Sequence, residues 1–174
     1  ISTAIERFVK VASNVGLSAR VVRTVGPFEN SGPIPPRAEQ ETTYTVMWSL
    51  TNSLNTISET KVSAELPPYV KWAGFTDPGN EKIDFNADTN TVTWSVGDLH
   101  SGTGLISSPR TSAFLITLEP SLSQVASSPV ILKTSNLSGN DRFTETQVGA
   151  TAPSLTTRFA SDPAFRLGDE MVAK

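Results

Sequence analysis

Apolar and polar residues alternate with a period of two along most of the chain. Between residues 43 and 50, threonine, methionine and serine separate the apolar positions Tyr44, Val46, Trp48 and Leu50. Alternation of this kind is typical of a β-strand with one face buried in a core. The pattern returns in three further segments, with apolar positions Val62, Ala64 and Leu66; Val92, Trp94 and Val96; and Phe114, Ile116 and Leu118. The sequence therefore predicts an all-β chain.

Four weaker segments extend the predicted set of strands. Residues 130–134 and 142–148 follow the main strands, and residues 5–11 and 17–25 precede them. The first of the two N-terminal segments has a competing interpretation as an amphipathic helix over residues 4–13. This alternative stays open because Ile5, Phe8, Val9 and Ala12 also share one helical face.

Turn-forming residues separate the predicted strands. Residues 77–80 are Asp-Pro-Gly-Asn, and residues 86–90 are Asn-Ala-Asp-Thr-Asn. Proline presets φ in such turns, and glycine or asparagine accepts positive φ. The second turn lies between segments 83–85 and 91–96, which predicts a β-hairpin. Short strands with turns about every 8–12 residues indicate a β-sandwich or a barrel.

The spacing of these elements predicts three parts in the chain. Residues 1–27 contain the N-terminal strands, which we interpret as the end of a preceding module. Residues 28–151 form the sandwich, and the pattern fades over residues 152–174, which we predict to be a C-terminal tail or linker. A stretch with Pro33, Pro35 and Pro36 leads into the first core strand. Since proline stiffens a chain and donates no backbone hydrogen bond, we interpret this stretch as a rigid domain boundary.

Composition limits the classes of function that the chain can have. The 174 residues carry a formal net charge of −3, which disfavours nucleic acid as a partner. There is no cysteine, so disulfides and cysteine-ligated zinc are excluded. Charged residues make up only 18% of a chain rich in serine and threonine, which suggests an exported protein. No apolar run is long enough to insert in a membrane, and we expect the chain to be a segment of a longer protein.

Three stretches resemble a tandem repeat domain of unknown function found in bacterial and archaeal cell-surface proteins. They are residues 42–70, residues 90–99 with the sequence NTVTWSVGDL, and residues 112–120 with the sequence SAFLITLEP. The shared pattern is a strand ending in asparagine, a strand running into Leu-Pro, and a strand of the form W-x-x-G-x-L. The resemblance covers about residues 40–150, and the proline-rich lead-in and the N-terminal strands depart from it. It implies an immunoglobulin-like β-sandwich in an exported, mostly architectural protein.

Catalytic chemistry has little support in the sequence. The one histidine, His100, follows the last residues of a predicted strand, and no G-x-S-x-G nucleophile motif is present. Glycoside hydrolysis needs two carboxylates facing each other in a cleft, which a single small sandwich rarely provides. We therefore predict that the chain is not an enzyme and has no resident cofactor.

Acidic residues of one loop region could bind calcium weakly. Asp77, Asp84 and Asp88 lie within a dozen residues of one another, among several asparagines. Oxygen-rich loops hold calcium in many extracellular modules. The competing interpretation is that these residues form turns and keep the surface soluble, since the EF-hand spacing is absent.

The aromatic residues divide into core and surface candidates. Trp48 and Trp94 lie in phase with apolar neighbours, which predicts that both are in the core. Trp72 and Phe75 lie in the segment Lys-Trp-Ala-Gly-Phe, where either ring could point outward. If the chain has an aromatic ligand-binding surface, we predict that these two residues form it.

Surface modules of this style sometimes carry an intramolecular isopeptide bond between lysine and asparagine. Lys10, Lys61 and Lys133 lie on predicted strands, and Asn136 follows one of them. No recognised spacing connects these residues. An intact mass lower by one ammonia is the signature of such a bond.

Together these features predict a non-catalytic structural, spacer or adhesive module of a multidomain cell-surface protein. Its expected partners are other modules of the same protein. The alternative is a carbohydrate- or protein-binding module that uses Trp72, Phe75 and the loops of residues 77–90, with weak calcium binding.

Overall fold

The computed structural model describes residues 8–174 as two antiparallel β-sheets packed face to face. The first sheet contains, in spatial order, β1 (Val15–Val22), β2 (Thr42–Asn52), β7 (Arg110–Leu118) and β4 (Val70–Asp77). The second contains β10 (Thr146–Ala152), β9 (Ser135–Asp141), β3 (Ile57–Glu65), β6 (Thr91–Leu99) and β5 (Lys82–Asn86). β8 (Val130–Leu132) and β11 (Leu155–Thr156) form a small ribbon, and one 3-10 turn spans Leu122–Gln124. The prediction of an all-β immunoglobulin-like sandwich is confirmed.

Two tryptophans from opposite sheets form the centre of the core. Trp48 on β2 and Trp94 on β6 are both fully buried, and their rings are nearly parallel with centroids 6.4 Å apart. Phe114 on β7 packs its ring edge against Trp48 with a centroid distance of 4.8 Å. The alternating apolar positions of β2, β3, β6 and β7 complete this core, as the sequence predicts.

Some strand boundaries differ from the sequence-based prediction. The strand expected over residues 142–148 is wrong in its first half: residues 142–145 form the turn between β9 and β10, because the Asp141 side chain accepts the backbone N–H groups of Phe143 and Thr144, and residues 146–148 begin β10. The strand expected over residues 17–25 is confirmed as β1 but ends at Val22. The alternatives for residues 4–13 fall partly outside the described residues, and residues 8–13 are neither helix nor strand.

The domain boundaries also need correction, because both flanking segments are integral to the sandwich. β1 pairs with β2 along its whole length, from Val15 opposite Asn52 to Val22 opposite Thr45. In the segment predicted as a tail, Phe159 and Val172 are each 2% exposed, and Phe159 belongs to the main core cluster. The packing of residues 15–27 and 152–174 on the central strands therefore extends one body beyond residues 28–151.

The proline-rich stretch is held between the sandwich and the C-terminal segment. The backbone N–H of Ala173 donates to the carbonyl of Pro36 over 2.7 Å. In turn, the backbone N–H of Ala38 donates to the carbonyl of Ala173 over 2.9 Å. Gly32 adopts a φ of +89°, and a side chain there would collide with the backbone of Glu41 and Thr42. This stretch is thus anchored to the sandwich at Pro36 and Ala38, which are buried, while most of the other residues between 31 and 40 are exposed. Among residues 8–174, no helix is long and apolar enough to cross a membrane.

Candidate functional site

The two aromatic residues predicted to form a ligand surface have different environments. Trp72 is half-buried and stacks on Phe85 with a centroid distance of 5.7 Å, where it closes the side of the sandwich between β4 and β5. Phe75 is 60% exposed and lies on a bulge, since the register between β4 and β7 shifts between Trp72 and Thr76. A bulge can re-aim a side chain out of a sheet. Of the two, Phe75 presents an open ring, beside that of Phe28 at 6.5 Å.

The acidic residues considered for calcium are spread over different elements. Asp77 ends β4 in the first sheet, Asp84 is exposed on β5 in the second sheet, and Asp88 lies in the turn after it. Within the described part of the chain, no group of three or more histidine, aspartate or glutamate side chains could hold a metal ion. In the turn, the Asn86 side chain accepts the backbone N–H of Asp88 over 2.9 Å. Calcium binding stays a prediction, which a calorimetric titration tests.

The candidates for covalent and acid–base chemistry lie on the surface. Lys61, Lys133 and Asn136 are exposed, and the Lys133 ammonium pairs with the exposed Glu65. The Lys10 ammonium lies 5.3 Å from the ring centroid of Phe143. An isopeptide bond needs lysine and asparagine side chains adjacent in the interior, and the structure does not bring these residues together there. His100 is exposed in the loop after β6.

A buried carboxylate joins the two sheets at the side of the sandwich. Glu81, in the connection between β4 and β5, accepts the indole N–H of Trp94 over 2.8 Å and two guanidinium bonds from Arg110 over 2.8 and 3.0 Å. Trp94 belongs to the second sheet and Arg110 to the first. Burial opposes ionisation of Glu81, but the hydrogen bonds from Arg110 and Trp94 outweigh it and lower its pKa. Glu81 is therefore a charged clasp between the sheets.

A second carboxylate fixes the N-terminal segment to the sandwich. Asp141 accepts the backbone N–H of Ser13 over 2.7 Å and the side-chain N–H of Asn55 over 2.9 Å, in addition to the turn N–H groups of Phe143 and Thr144. Desolvation by itself would raise its pKa. These hydrogen bonds reverse that effect and hold the pKa of Asp141 well below its usual range.

A third carboxylate, that of Asp162, fixes the C-terminal segment to the sandwich. Asp162 accepts the backbone N–H groups of Arg23 and Thr24, each over 2.7 Å, together with the Thr24 hydroxyl and the N–H of Ala164 over 2.9 Å. Arg23 and Thr24 follow directly after the end of β1. Asp162 therefore accepts the backbone N–H groups of two residues that lie beyond the last strand residue, Val22. Burial favours the neutral acid, yet these donors hold the pKa of Asp162 well below its usual range.

The two carboxylates mark opposite ends of the sandwich. We call the end formed by residues 8–14, the turn 53–56, the loop 100–109 and the turn 142–145 the N-terminal pole. The other end, formed by residues 23–41, 119–129 and 155–174, is the C-terminal pole. β2 runs from the C-terminal pole to the N-terminal pole, since Thr42 lies opposite Leu118 at the C-terminal pole and Asn52 lies opposite Val15 at the N-terminal pole. The chain thus enters the sandwich at one pole and leaves it at the other.

The sequence pattern predicts neither the clasp at Glu81 nor the two capping carboxylates, Asp141 and Asp162. An aspartate before a turn is a recognisable signal for local bonds to the N–H groups two and three residues later. That signal is present at Asp141 and Asp162, but their distant donors Ser13 and Arg23 lie 128 and 139 residues away in sequence. Such pairings depend on the folded topology, which the local pattern does not contain.

Comparison with known proteins gives little beyond the architecture. No protein-family model matches the chain, and no curated protein matches it. Similar solved structures include the D312A variant of BcpA, the major pilin subunit of Bacillus cereus, at 9% identity with a TM-score of 0.49 over 82% of this chain and 40% of that one. The full-length major pilin SpaD from Corynebacterium diphtheriae has 11% identity and a TM-score of 0.49, over 82% of this chain and 35% of that one.

A glycosidase is also among the similar solved structures. A GH20 β-N-acetylglucosaminidase from Vibrio harveyi has 6% identity and a TM-score of 0.42, over 79% of this chain and 17% of that one. The chain spans about two-fifths of the length of the BcpA chains and a smaller share of the other two proteins. Pilins and a glycosidase both occur at this level of similarity, so no function is transferred from them.

Proposed function

We propose that this chain is a non-catalytic structural module of a multidomain cell-surface protein, where it spaces its neighbours and carries tension between them. The observation that supports this proposal is the path of the chain through the fold. The chain enters at the N-terminal pole, runs along the first sheet as β1, and leaves at the C-terminal pole. Asp141 and Asp162 fix these two segments to the body through charge-assisted hydrogen bonds.

This path gives β1 a mechanically favourable position. A force that separates the poles acts along the axis of β1, which pairs with β2 over eight residues, Val15–Val22. Every hydrogen bond of that ladder then carries load at the same time. A force across the strand would instead break the bonds one after another. End-to-end tension is therefore the direction in which we expect this fold to resist most.

The residue pattern supports the extracellular, repetitive setting of this proposal. The W-x-x-G-x-L motif lies on β6, where Trp94 and Leu99 are buried in the core and Gly97 has a φ of +74°. The motif therefore has a structural role in the sandwich. The low share of charged residues and the absence of cysteine are common in exported bacterial modules. The expected partners are neighbouring modules of the same protein.

Single-molecule pulling between the two poles tests the proposal. We expect residues 15–173 to unfold in one event, because the flanking segments are part of the same core. Release of β1 or of residues 155–173 at low force, before the rest of the sandwich, would overturn it. Asp84→Asn, a change at an exposed carboxylate, serves as the control for Asp141→Asn, which we expect to release the N-terminal segment early.

A ligand-binding role is the second candidate, and the exposed ring of Phe75 supports it. An aromatic ring held on a sheet bulge can stack on a sugar or contact a protein partner. A glycan array tests this role, with loss of binding in Phe75→Ala as the expected result. Phe143→Ala is the matched control, since Phe143 is 53% exposed and lies at the N-terminal pole. Binding that survives Phe75→Ala would exclude this surface.

A further inference from the structure

The N-terminal pole carries large apolar side chains that are exposed to solvent and do not belong to the core. Leu54, Leu105, Ile106 and Phe143 are 56%, 70%, 91% and 53% exposed. They sit on three loops that are bonded to one another. The backbone N–H of Gly102 donates to the carbonyl of Ser53, and the backbone N–H of Arg142 donates to the carbonyl of Thr56. These four side chains lie on the hydrogen-bonded loops of one pole, and we call them the N-terminal patch.

The loop that presents Leu105 and Ile106 is closed by several backbone hydrogen bonds. The backbone N–H groups of both residues and of Ser107 converge on the carbonyl of Gly102, at 3.0, 2.7 and 3.2 Å. Gly104 donates back to Ser107 over 2.9 Å. Gly102 and Gly104 both have positive φ, and a side chain at Gly104 would collide with Thr51. A preorganised loop loses little conformational entropy on binding, which favours a role in association.

The C-terminal pole carries a second apolar surface. Leu122, Val125, Leu167 and Met171 are 55%, 37%, 85% and 38% exposed. Val125 and Met171 are neighbours, because the adjacent residues Ala126 and Val172 share a backbone hydrogen bond of 2.8 Å. We call these four residues the C-terminal patch.

We infer that the C-terminal patch of one copy docks on the N-terminal patch of the next, so that modules of this kind associate end to end. This inference rests on the proposed function, in which like modules follow one another along a chain. In such an array, the pole where one module ends faces the pole where the next begins. Two apolar surfaces at opposite poles then cover each other, and the contact repeats along the array as a heterologous interface.

The size of the patches fits a weak contact that depends on a tether. Four large side chains, each partly exposed, offer on the order of 400 Å² per pole, so that the contact buries about 800 Å² in total. Stable complexes bury about 1,200–2,000 Å². Free copies should therefore associate only weakly, while a covalent link would raise the effective concentration to about the millimolar range and so favour the contact.

Sedimentation equilibrium of mixed variants tests this inference. We expect the wild-type chain to associate weakly, and Ile106→Asp and Leu167→Asp each to reduce its association about tenfold or more, because each buries a charge in one patch. An equimolar mixture of the two variants should regain association, since each retains the patch that the other has lost. Phe75→Asp is the control, because Phe75 is an exposed apolar residue on the bulge of β4 that belongs to neither patch, and it should associate like the wild type.

Three results would overturn the inference. They are a wild-type chain that stays monomeric at about 1 mM, a Leu167→Asp variant that associates like the wild type, and a mixture that fails to regain association. The second of these would indicate that N-terminal patches pair with each other. All four side chains of each patch are solvent-exposed, so thermal melting should be nearly unchanged and excludes misfolding as a cause. Pulling of a single copy does not involve the patches, so the inference can fail while the proposed function stands.

Discussion

The indole N–H of Trp94 donates a hydrogen bond of 2.8 Å to the carboxylate of Glu81, and the same carboxylate receives the guanidinium of Arg110 from the opposite sheet. The Glu81 side chain is only 9% exposed. One acidic residue thus satisfies the buried polar atom of a core tryptophan and neutralises a partly buried arginine. The sandwich is held at this side by charge as well as by apolar packing.

Removal of Glu81 should therefore be costly. Glu81→Ala leaves the Trp94 N–H and the Arg110 guanidinium without their partner, and we expect the free energy of unfolding to fall by about 2–4 kcal/mol. Urea denaturation followed by tryptophan fluorescence measures this change. Glu65→Ala removes an exposed ion pair with Lys133 and should cost less than about 1 kcal/mol. Equal losses in the two variants would show that the clasp has no special role.

Stability should decrease in acid because of Asp141 and Asp162. The pKa of each is lower in the folded protein than the value of about 3.9 in an unfolded chain. Their contribution is therefore fully present above about pH 5 and is lost as the pH falls below about 4 towards the folded pKa. Urea midpoints measured from pH 7 to pH 2.5 should show this decline.

The corresponding asparagine variants identify its source. Asp141→Asn and Asp162→Asn cannot lose a negative charge in acid, so their urea midpoints should depend less on pH than that of the wild type. Asp84→Asn, at an exposed position, should keep the wild-type dependence. A decline that is the same in all three variants would assign the effect to other groups.

The proline-rich connection should not tolerate a side chain at Gly32. Gly32→Ala puts a Cβ against the Glu41 carbonyl oxygen at a φ of +89°, and we expect the free energy of unfolding to fall by about 2 kcal/mol or more. Gly79→Ala is the matched control, since Gly79 has open space around it. Thermal or urea unfolding compares the two. A neutral Gly32→Ala would mean that residues 32–42 are not packed as the structure describes.

The C-terminal segment should contribute to stability as part of the core. Phe159 packs on Tyr44 with a centroid distance of 6.3 Å, and Phe159→Ala should lower the free energy of unfolding by about 3–5 kcal/mol. Leu167→Ala, in the same segment but 85% exposed, should change it by less than about 0.5 kcal/mol. If Phe159→Ala were as mild as Leu167→Ala, the segment would be a linker after all.

The sequence predicts the central strands well and the flanking segments poorly, for a physical reason. Period-two alternation directly reports which side chains face the core, so Trp48 and Trp94 could be placed from the pattern. Phe159 and Val172 lie in irregular backbone, where buried residues do not recur at a regular interval along the sequence. Their burial follows from long-range packing against β2 and residues 36–38, which a local pattern cannot show.

The candidate binding residues on the surface also depend on long-range structure that a local sequence pattern does not contain. The segment around Trp72 and Phe75 indicates one outward ring, but the choice between them depends on the bulge opposite β7. The carboxylates at Asp77, Asp84 and Asp88 are close in sequence, yet the turn separates them onto different elements. The functional proposal instead rests on the two poles, whose residues lie far apart in the chain.

The central claim, that the fold resists tension between its poles through β1, is tested most directly by pulling the same protein in two directions. The chain has no cysteine, so two introduced cysteines define the attachment points. Val11→Cys with Lys174→Cys loads the β1–β2 ladder along its axis, and Val11→Cys with Leu54→Cys opens the ladder from one end. We predict a markedly higher unfolding force in the first geometry, and equal forces in the two geometries would contradict the account.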